Sequence, residues 1–283
     1  MKLDELRWVD LLKQRAAKRK GVIVGIGDDC AQVLVGKNKV LLKSDLFVEG
    51  VHFRRGKVSY KTIGMRAAAR VLSDFAACAG IPKFVGVSAG LPAYLRKKDL
   101  EDILSGILFY GKKYKFSLVG GDTVKSSKLF LDVWGVGEAK KFVSRAGAKG
   151  GDYIFITGPL GRRAFAARFE PRIKEAQGLV NNFKVNSMID ISDGFILDLY
   201  RILKESKKGA LLYHKNLPLT RGEEDLWRGE DYELIFTVDR RERIEQLKKK
   251  FYFVGRIKEK NFGYKIEKNN RIEKVRLRGY THF

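Results

Sequence analysis

Aspartates mark the places where this chain could do chemistry. Asp28 and Asp29 close the string Gly25-Ile26-Gly27-Asp28-Asp29, and Asp45 ends the run Val40-Leu41-Leu42-Lys43-Ser44-Asp45. Asp74 lies within Val71-Leu72-Ser73-Asp74-Phe75-Ala76, Asp122 follows Gly120-Gly121, and Asp190 and Asp193 lie in Met188-Ile189-Asp190-Ile191-Ser192-Asp193-Gly194. An aspartate after glycine commonly caps a helix or closes a turn, and that reading suits most of these singly. Asp74 fits it worst. A carboxylate flanked by Leu72, Phe75 and Ala76 is costly to desolvate unless a cation accompanies it. The local supply of basic residues stops at Arg70, and the stretch from Ser187 to Tyr200 has neither Lys nor Arg. Several such aspartates at strand ends point to one shared hard-cation site. Oxygen donors of this kind suit Mg²⁺, which bridges carboxylates to substrate phosphates.

The elements that position them alternate between strand and helix. Residues 3–19 have the 3.6-residue apolar period of an amphipathic helix, and 32–35 and 40–42 are strands joined by the turn Gly36-Lys37-Asn38-Lys39. An Ala-rich helix spans 60–79, with Gly80 at its C′ position and Pro82 beyond. A strand near 84–88, a helix near 97–113, and strands at 116–119 and 129–137 complete the first half. A Gly-rich break at 147–152 precedes a strand at 153–157. Then come a helix after Gly161, a strand at 188–191, a helix at 194–206, strands at 210–214 and 233–238, and a helix at 240–250. The expected architecture is mixed α/β with two domains, residues 1–140 and 141–283.

Composition excludes several classes. With 283 residues and 45% apolar content the chain is long enough for two packed cores. It has no apolar run near the ~18 residues of a membrane helix, and its N-terminus lacks a signal-peptide centre, so a cytoplasmic protein is expected. Cys30 and Cys78 read as buried free thiols. The formal charge of +24 invites nucleic acid, but the basic residues are spread along the chain, and a basic surface attracts small phosphorylated molecules equally well. Nucleic acid is therefore the remote alternative. The string Gly106 to Lys113 lacks the Ser/Thr of a P-loop and reads as helix interior. Gly25-Ile26-Gly27 lacks the third glycine of a dinucleotide fingerprint. Three histidines and two distant cysteines argue against structural zinc, and no nucleophile elbow is present.

Taken in order, the motifs Gly25 to Asp29, Ser44-Asp45-Leu46-Phe47-Val48-Glu49-Gly50-Val51-His52-Phe53, Leu72 to Ala77, Gly120 to Thr123, Ser144 to Lys149, Ile189 to Gly194 and Gly229-Glu230-Asp231-Tyr232-Glu233-Leu234 resemble the thiamine-monophosphate kinase family. The ending Gly279-Tyr280-Thr281-His282-Phe283 is similar as well. The wider superfamily includes aminoimidazole ribonucleotide synthetase and selenophosphate synthetase. No reactive Cys precedes Cys30 as in the latter, and the chain does not end in Cys as hydrogenase-maturation relatives do.

The resemblance implies two α/β domains. The N-terminal one would bind ATP and Mg²⁺ and form a homodimer through its mixed sheet; the C-terminal one would complete the substrate and nucleotide site. It implies that Asp29, Ser44, Asp45, Asp74, Asp122, Asp190 and Asp193 hold or orient several Mg²⁺ ions, with Asp28 behind them. Gly121, Asp122, Arg145 and Ser192 would hold ATP, Arg145 on its phosphates, and His52, Glu230 and Leu277 would contact thiamine monophosphate. Asp74, Asp122 and Arg145 would carry the catalysis. The implied reaction is in-line attack of a thiamine monophosphate oxygen on the γ-phosphorus of ATP, giving thiamine diphosphate and ADP. Three departures concern the acceptor. Arg228 replaces a usual glycine, Leu277 stands where an aromatic often stacks, and the stretch from Gly161 to Ile189 is short. The alternative is therefore a related ATP-dependent enzyme acting on another small phosphorylated metabolite.

Overall fold

The computed structural model describes residues 5–17, 19–162 and 169–281. In chain order the elements are α1 (Glu5–Arg15), β1 (Val22–Val24), β2 (Ala31–Val35), β3 (Asn38–Val48), α2 (Tyr60–Ala77), β4 (Ile81–Leu91), α3 (Lys97–Tyr114), β5 (Ser117–Gly120), β6 (Thr123–Lys125) and β7 (Phe130–Glu138). There follow β8 (Tyr153–Ile156), α4 (Ile173–Asn182), β9 (Val185–Asp190), α5 (Phe195–Ser206), β10 (Lys208–Tyr213), β11 (Leu234–Val238), α6 (Ile244–Lys248), β12 (Tyr252–Glu259), β13 (Tyr264–Lys268) and β14 (Arg271–Lys274).

These strands build two mixed sheets. The first runs β1-β2-β3-β7-β4-β5, with β6 also paired to β4, and is antiparallel except where β5 and β6 join β4. The second runs β14-β13-β10-β12-β8-β11-β9, with only β10–β13 parallel among its pairs. The helix α2 lies between them, packed on β3 and β7 of the first sheet, on β9 of the second, and on α3 and α4. One apolar core therefore runs from Leu41 and Phe47 through Val71, Leu72 and Phe75 to Phe155, Met188 and Phe236. A second core lies beneath α5, around Ile154, Ile156, Leu199, Leu203 and Ile235.

The ends of α2 show why it stops where it does. Ser59 accepts from the Thr62 N–H at the N-terminus (3.2 Å). At the other end the left-handed residue is Ala79 (φ 52°), not Gly80 as expected from the sequence. Ala79 N donates to Ala76 O and Gly80 N to Phe75 O, the two bonds of a Schellman motif. Gly80 is required for space: a Cβ there would lie 2.6 Å from Leu41 Cδ1. Pro82, expected beyond the helix as a stop, falls inside β4 beside an irregularity between Pro82 and Phe84, where a missing N–H is tolerated.

Other boundaries also differ. The helix expected over 3–19 is Glu5–Arg15, with residues 1–4 and 18 outside the described residues. The helix expected after Gly161 is described from Ile173, residues 163–168 lying outside the described residues. The helix read over 240–250 shrinks to Ile244–Lys248. The expected P-loop look-alike around Gly106 is helix interior in α3, and a Cβ on Gly106 would lie 2.0 Å from Lys61 O, as one on Gly64 would from Ile103 O. These two glycines let α2 and α3 meet backbone to backbone.

Gly106→Val should therefore force the helices apart and cost about 2–3 kcal/mol, as overpacking does. Thermal unfolding checks this: a melting temperature within 1–2 °C of wild type would contradict the contact.

Candidate active site

A cavity of about 300 Å³ opens where β3, α2, the Asp28–Asp29 turn and the β9–α5 junction converge, with α1 along its rim. In a chain of net charge +24 its lining is acidic, with nine acids against six bases. The acids of the floor come from separate elements. Asp29 ends the turn before β2, Asp45 points inward from β3, Asp74 sits in the last turn of α2, and Asp190 ends β9. One oxygen each of Asp29, Asp74 and Asp190, all three buried, lie within 4.8 Å of one another. Three of the seven residues expected to hold metal therefore come together here.

Four cations hold the carboxylates in place. Lys43 Nζ lies 3.1 Å from Asp74 Oδ2, and Arg70 Nε 3.1 Å from Asp45 Oδ2. Arg145 forks onto Asp29, with Nε 3.0 Å from Oδ2 and Nη2 on Oδ1. Arg201 Nη1 bridges Asp193 and Asp198 at 2.6 Å each. With no basic residue following Asp74 locally in the sequence, its cation partner comes from β3, not from its own helix. Strand alternation puts Lys43 and Asp45 on the face that meets α2, alongside Leu41 and Phe47.

The electrostatics follow from burial and crowding. Burial, and then the charge of Asp29, push the Asp190 carboxyl up to about 6, although Ser73 Oγ donates to it at 2.7 Å. Burial also drives Asp74 well above the ordinary carboxylate range, with Lys43 opposing and Asp190 adding to the rise. Asp45 goes the other way: burial would raise it, but Arg70 and Lys43 outweigh that and hold it low. Burial and the neighbouring Asp29 raise Asp28, which accepts from Ser144 Oγ at 2.6 Å.

The remaining predicted residues divide. Ser192 and Asp193 line the cavity at the β9–α5 junction. Ser44 points to the opposite face of the first sheet from Asp45, and its hydroxyl donates to Asp132. Gly121 and Asp122 lie at the exposed β5–β6 junction and do not line the cavity; a Cβ on Gly121 would lie 1.7 Å from Val87 O, and Asp122 caps the Thr123 N–H at 2.7 Å. His52 and Glu230 are linked through two neighbours. The His52 ring stacks on Phe47 (5.3 Å), the Arg66 guanidinium lies 5.7 Å from the same ring, and Arg66 Nη2 lies 2.8 Å from Glu230 Oε2. His52 Nδ1 accepts from Val48 N at 2.9 Å. Leu277 is 48% exposed and outside the cavity lining, on a C-terminal segment tied back by Tyr280 N to Asp193 O at 2.8 Å.

Sequence reasoning missed Lys43, Arg70, Arg201 and Tyr232. Tyr232 receives Arg70 Nη1 at 2.7 Å, and both it and Glu230 adopt left-handed backbone (φ 53° and 65°). Strain of that kind in non-glycine residues gathers at functional sites. The segment is held by Glu230 N to Ser192 O and Tyr232 N to Ile191 O. A period-2 reading of Lys43 with Asp45 and a period-4 reading of Arg70 with Asp74 were the available signals. For α1, whose Glu5, Asp10 and Lys13 reach the rim, amphipathicity gave the helix but not its location.

The chain has a two-sheet α/β fold, and its residues 27–139 match the family model described as AIR synthase related protein, N-terminal domain. The chain is 34% identical to the thiamine-monophosphate kinase of Rhodopirellula baltica, over 83% of this chain and 82% of that one. It is 32% identical to that of Buchnera aphidicola from Schizaphis graminum, over 96% of each. The structure of AaThiL complexed with AMPPCP and TMP superposes with a TM-score of 0.86 at 29% identity, over 100% of this chain and 99% of that one. The chain belongs to the thiamine-monophosphate kinase family.

The raised pKa of Asp190 makes a pH-dependent prediction. A carboxyl at about 6 in the fold and 3.8 unfolded destabilises the fold progressively as pH rises from about 4 through 6. Asp190→Asn should therefore raise the melting temperature of EDTA-treated protein at pH 7.5 by an amount equivalent to ~2–3 kcal/mol, and by only about a third of that at pH 4.5. Melts at the two pH values check this; equal shifts at both would contradict it.

Proposed function

We propose that this chain transfers the γ-phosphoryl group of ATP to thiamine monophosphate, releasing thiamine diphosphate and ADP. The observation that carries this reading is the end-to-end likeness to a structure holding AMPPCP, an ATP analogue, together with TMP. The acidic cavity agrees with it. Three buried carboxylates within 4.8 Å, in a lining with more acids than bases, form a hard-oxygen donor set of the kind that fits Mg²⁺. Bound there, Mg²⁺ would supply neutralisation of the charge spread over the transferring phosphoryl group.

The chain's own residues would divide the remaining work. Asp29, Asp74 and Asp190 would hold the central ions, with Asp45 and Asp193 beside them in the cavity. Ser44 and Asp122 lie outside the cavity and would contribute to metal binding only from there, and Gly121 beside Asp122 would contribute to nucleotide binding. Ser192 and Arg145 would bind ATP, and moving Arg145 onto the phosphates would require exchanging its fork on Asp29 for a phosphate fork of like geometry. His52, Glu230 and Leu277 would contact the thiamine moiety. A phosphate monoester with a second pKa near 6 is largely dianionic at neutral pH, so attack needs positioning more than a general base. The new bond joins a thiamine monophosphate oxygen to the γ-phosphorus, and the bond from that phosphorus to the bridging oxygen of ADP breaks.

The same reading makes residues 1–140 the metal, nucleotide and dimerisation domain and 141–283 the domain that completes the site, in a cytoplasmic homodimer. Support for the dimer comes from the face of the first sheet turned away from α2, which leaves Leu42, Leu46 and Phe84 41%, 52% and 49% exposed. Among the described residues, no helix is long and apolar enough to cross a membrane. Leu46→Lys should shift the protein from dimer to monomer in analytical ultracentrifugation; an unchanged dimer would place the interface elsewhere.

A chromatographic assay with ATP, Mg²⁺ and thiamine monophosphate tests the reaction. Thiamine diphosphate should form and EDTA should stop it, whereas no diphosphate, despite ATP binding, would move the search to another acceptor. Asp74→Asn should lower turnover by ~10²-fold or more with an unchanged circular dichroism spectrum. Wild-type turnover would remove Asp74 from the site.

A further inference from the structure

The strand β3 and helix α2 exchange charges crosswise. Lys43 and Asp45 lie two apart on the strand, Arg70 and Asp74 four apart on the helix, and each cation pairs with the carboxylate of the other element at 3.1 Å. The two pairs differ in setting. Arg70 spreads its charge outward, reaching Tyr232 at 2.7 Å and Glu230 at 3.8 Å, and Asp45 lies outside the three-carboxylate cluster. The partner of Lys43 is Asp74, whose oxygen lies within 4.8 Å of those of Asp29 and Asp190.

A carboxylate shared by two divalent ions holds them about 3.5–4 Å apart. An ammonium 3.1 Å from one Asp74 oxygen takes an equivalent place, and its three donors suit a cluster with several acceptors. The lysine is fixed there, because the inward-facing neighbours on the same strand, Leu41 and Phe47, are buried core residues that pin its register. We propose that the Lys43 ammonium is a built-in cation of the carboxylate cluster, occupying one of the cation positions around Asp74. The chain then holds one divalent ion fewer than its carboxylates could accept, or binds the ion beside Asp74 more weakly than it would without the lysine. This rests on the reading of Asp29, Asp74 and Asp190 as a divalent-cation site.

The test is a titration of the full chain with Mn²⁺, with free Mn²⁺ followed by electron paramagnetic resonance and no nucleotide present. Lys43→Met should bind one more Mn²⁺ per chain than wild type, or bind its weakest ion at least tenfold more tightly, while Lys43→Arg should keep the wild-type isotherm. Should Lys43→Met fail to fold, Lys43→Gln keeps a hydrogen bond to Asp74 without the charge and should show the same gain. A lower melting temperature with an unchanged Mn²⁺ isotherm would make Lys43 merely structural and overturn the proposal. Absence of Mn²⁺ binding in every variant would overturn it together with the metal site. A gain in Mn²⁺ binding in a chain that forms no thiamine diphosphate would leave Lys43 assigned and remove only the proposed acceptor.

Discussion

Desolvation of carboxylate is the constraint around which this molecule is arranged. Asp29, Asp74 and Asp190 converge while all three are buried, and an isolated carboxylate so placed would give up its charge. The elevated positions of Asp190 and Asp74 show that balance. Lys43, Arg70, Arg145 and Arg201 offset part of the charge, each reaching across from another element or another turn. Removing one partner of such a buried pair leaves an uncompensated charge, which is why these pairs knit the site to the fold.

The architecture follows from the need to bring these groups together. Because α2 lies between the two sheets, its last turn can present Asp74 to β3 on one side and, through Ser73, to Asp190 at the end of β9 on the other. Gly64 and Gly106 allow α3 to back α2 closely, so the helix is braced from behind. On the rim, α1 is held by ion pairs with α5: Lys13 with Glu205 at 2.6 Å, Lys204 with Asp10 at 2.8 Å and Arg201 with Glu5 at 3.9 Å. These rim pairs are half-buried, and salt weakens them more than it weakens the buried pairs of the floor.

Much of this was legible in the sequence where one residue's setting decided the matter. Asp74 beside Leu72 and Phe75 announced a buried charge, and the Ala-rich run over 60–79 and the stretch near 97–113 announced helices that the structure places at 60–77 and 97–114. What needed two elements at once was not legible. The pairing of Lys43 with Asp74 requires knowing both the strand's alternation and the helix packed on it, and Ser44 takes the far face of β3 by the same alternation that turns Asp45 inward. The strands β12, β13 and β14 were also missed; for the last of them, Arg271-Ile272-Glu273-Lys274, the reason is that it forms the exposed edge of the second sheet, where a strand needs little apolar signal. Glycine's preference for left-handed backbone points to Gly80 after α2, but Ala79 takes that conformation, and Gly80 is the position crowded by Leu41 and Phe75.

The most direct test of the account is anomalous diffraction from crystals grown with Mn²⁺ and AMPPCP. Strong manganese peaks between Asp29, Asp74 and Asp190, with Lys43 still on Asp74, are the predicted result. Manganese bound elsewhere, with that cluster closed on its own cations and free of metal, would contradict it.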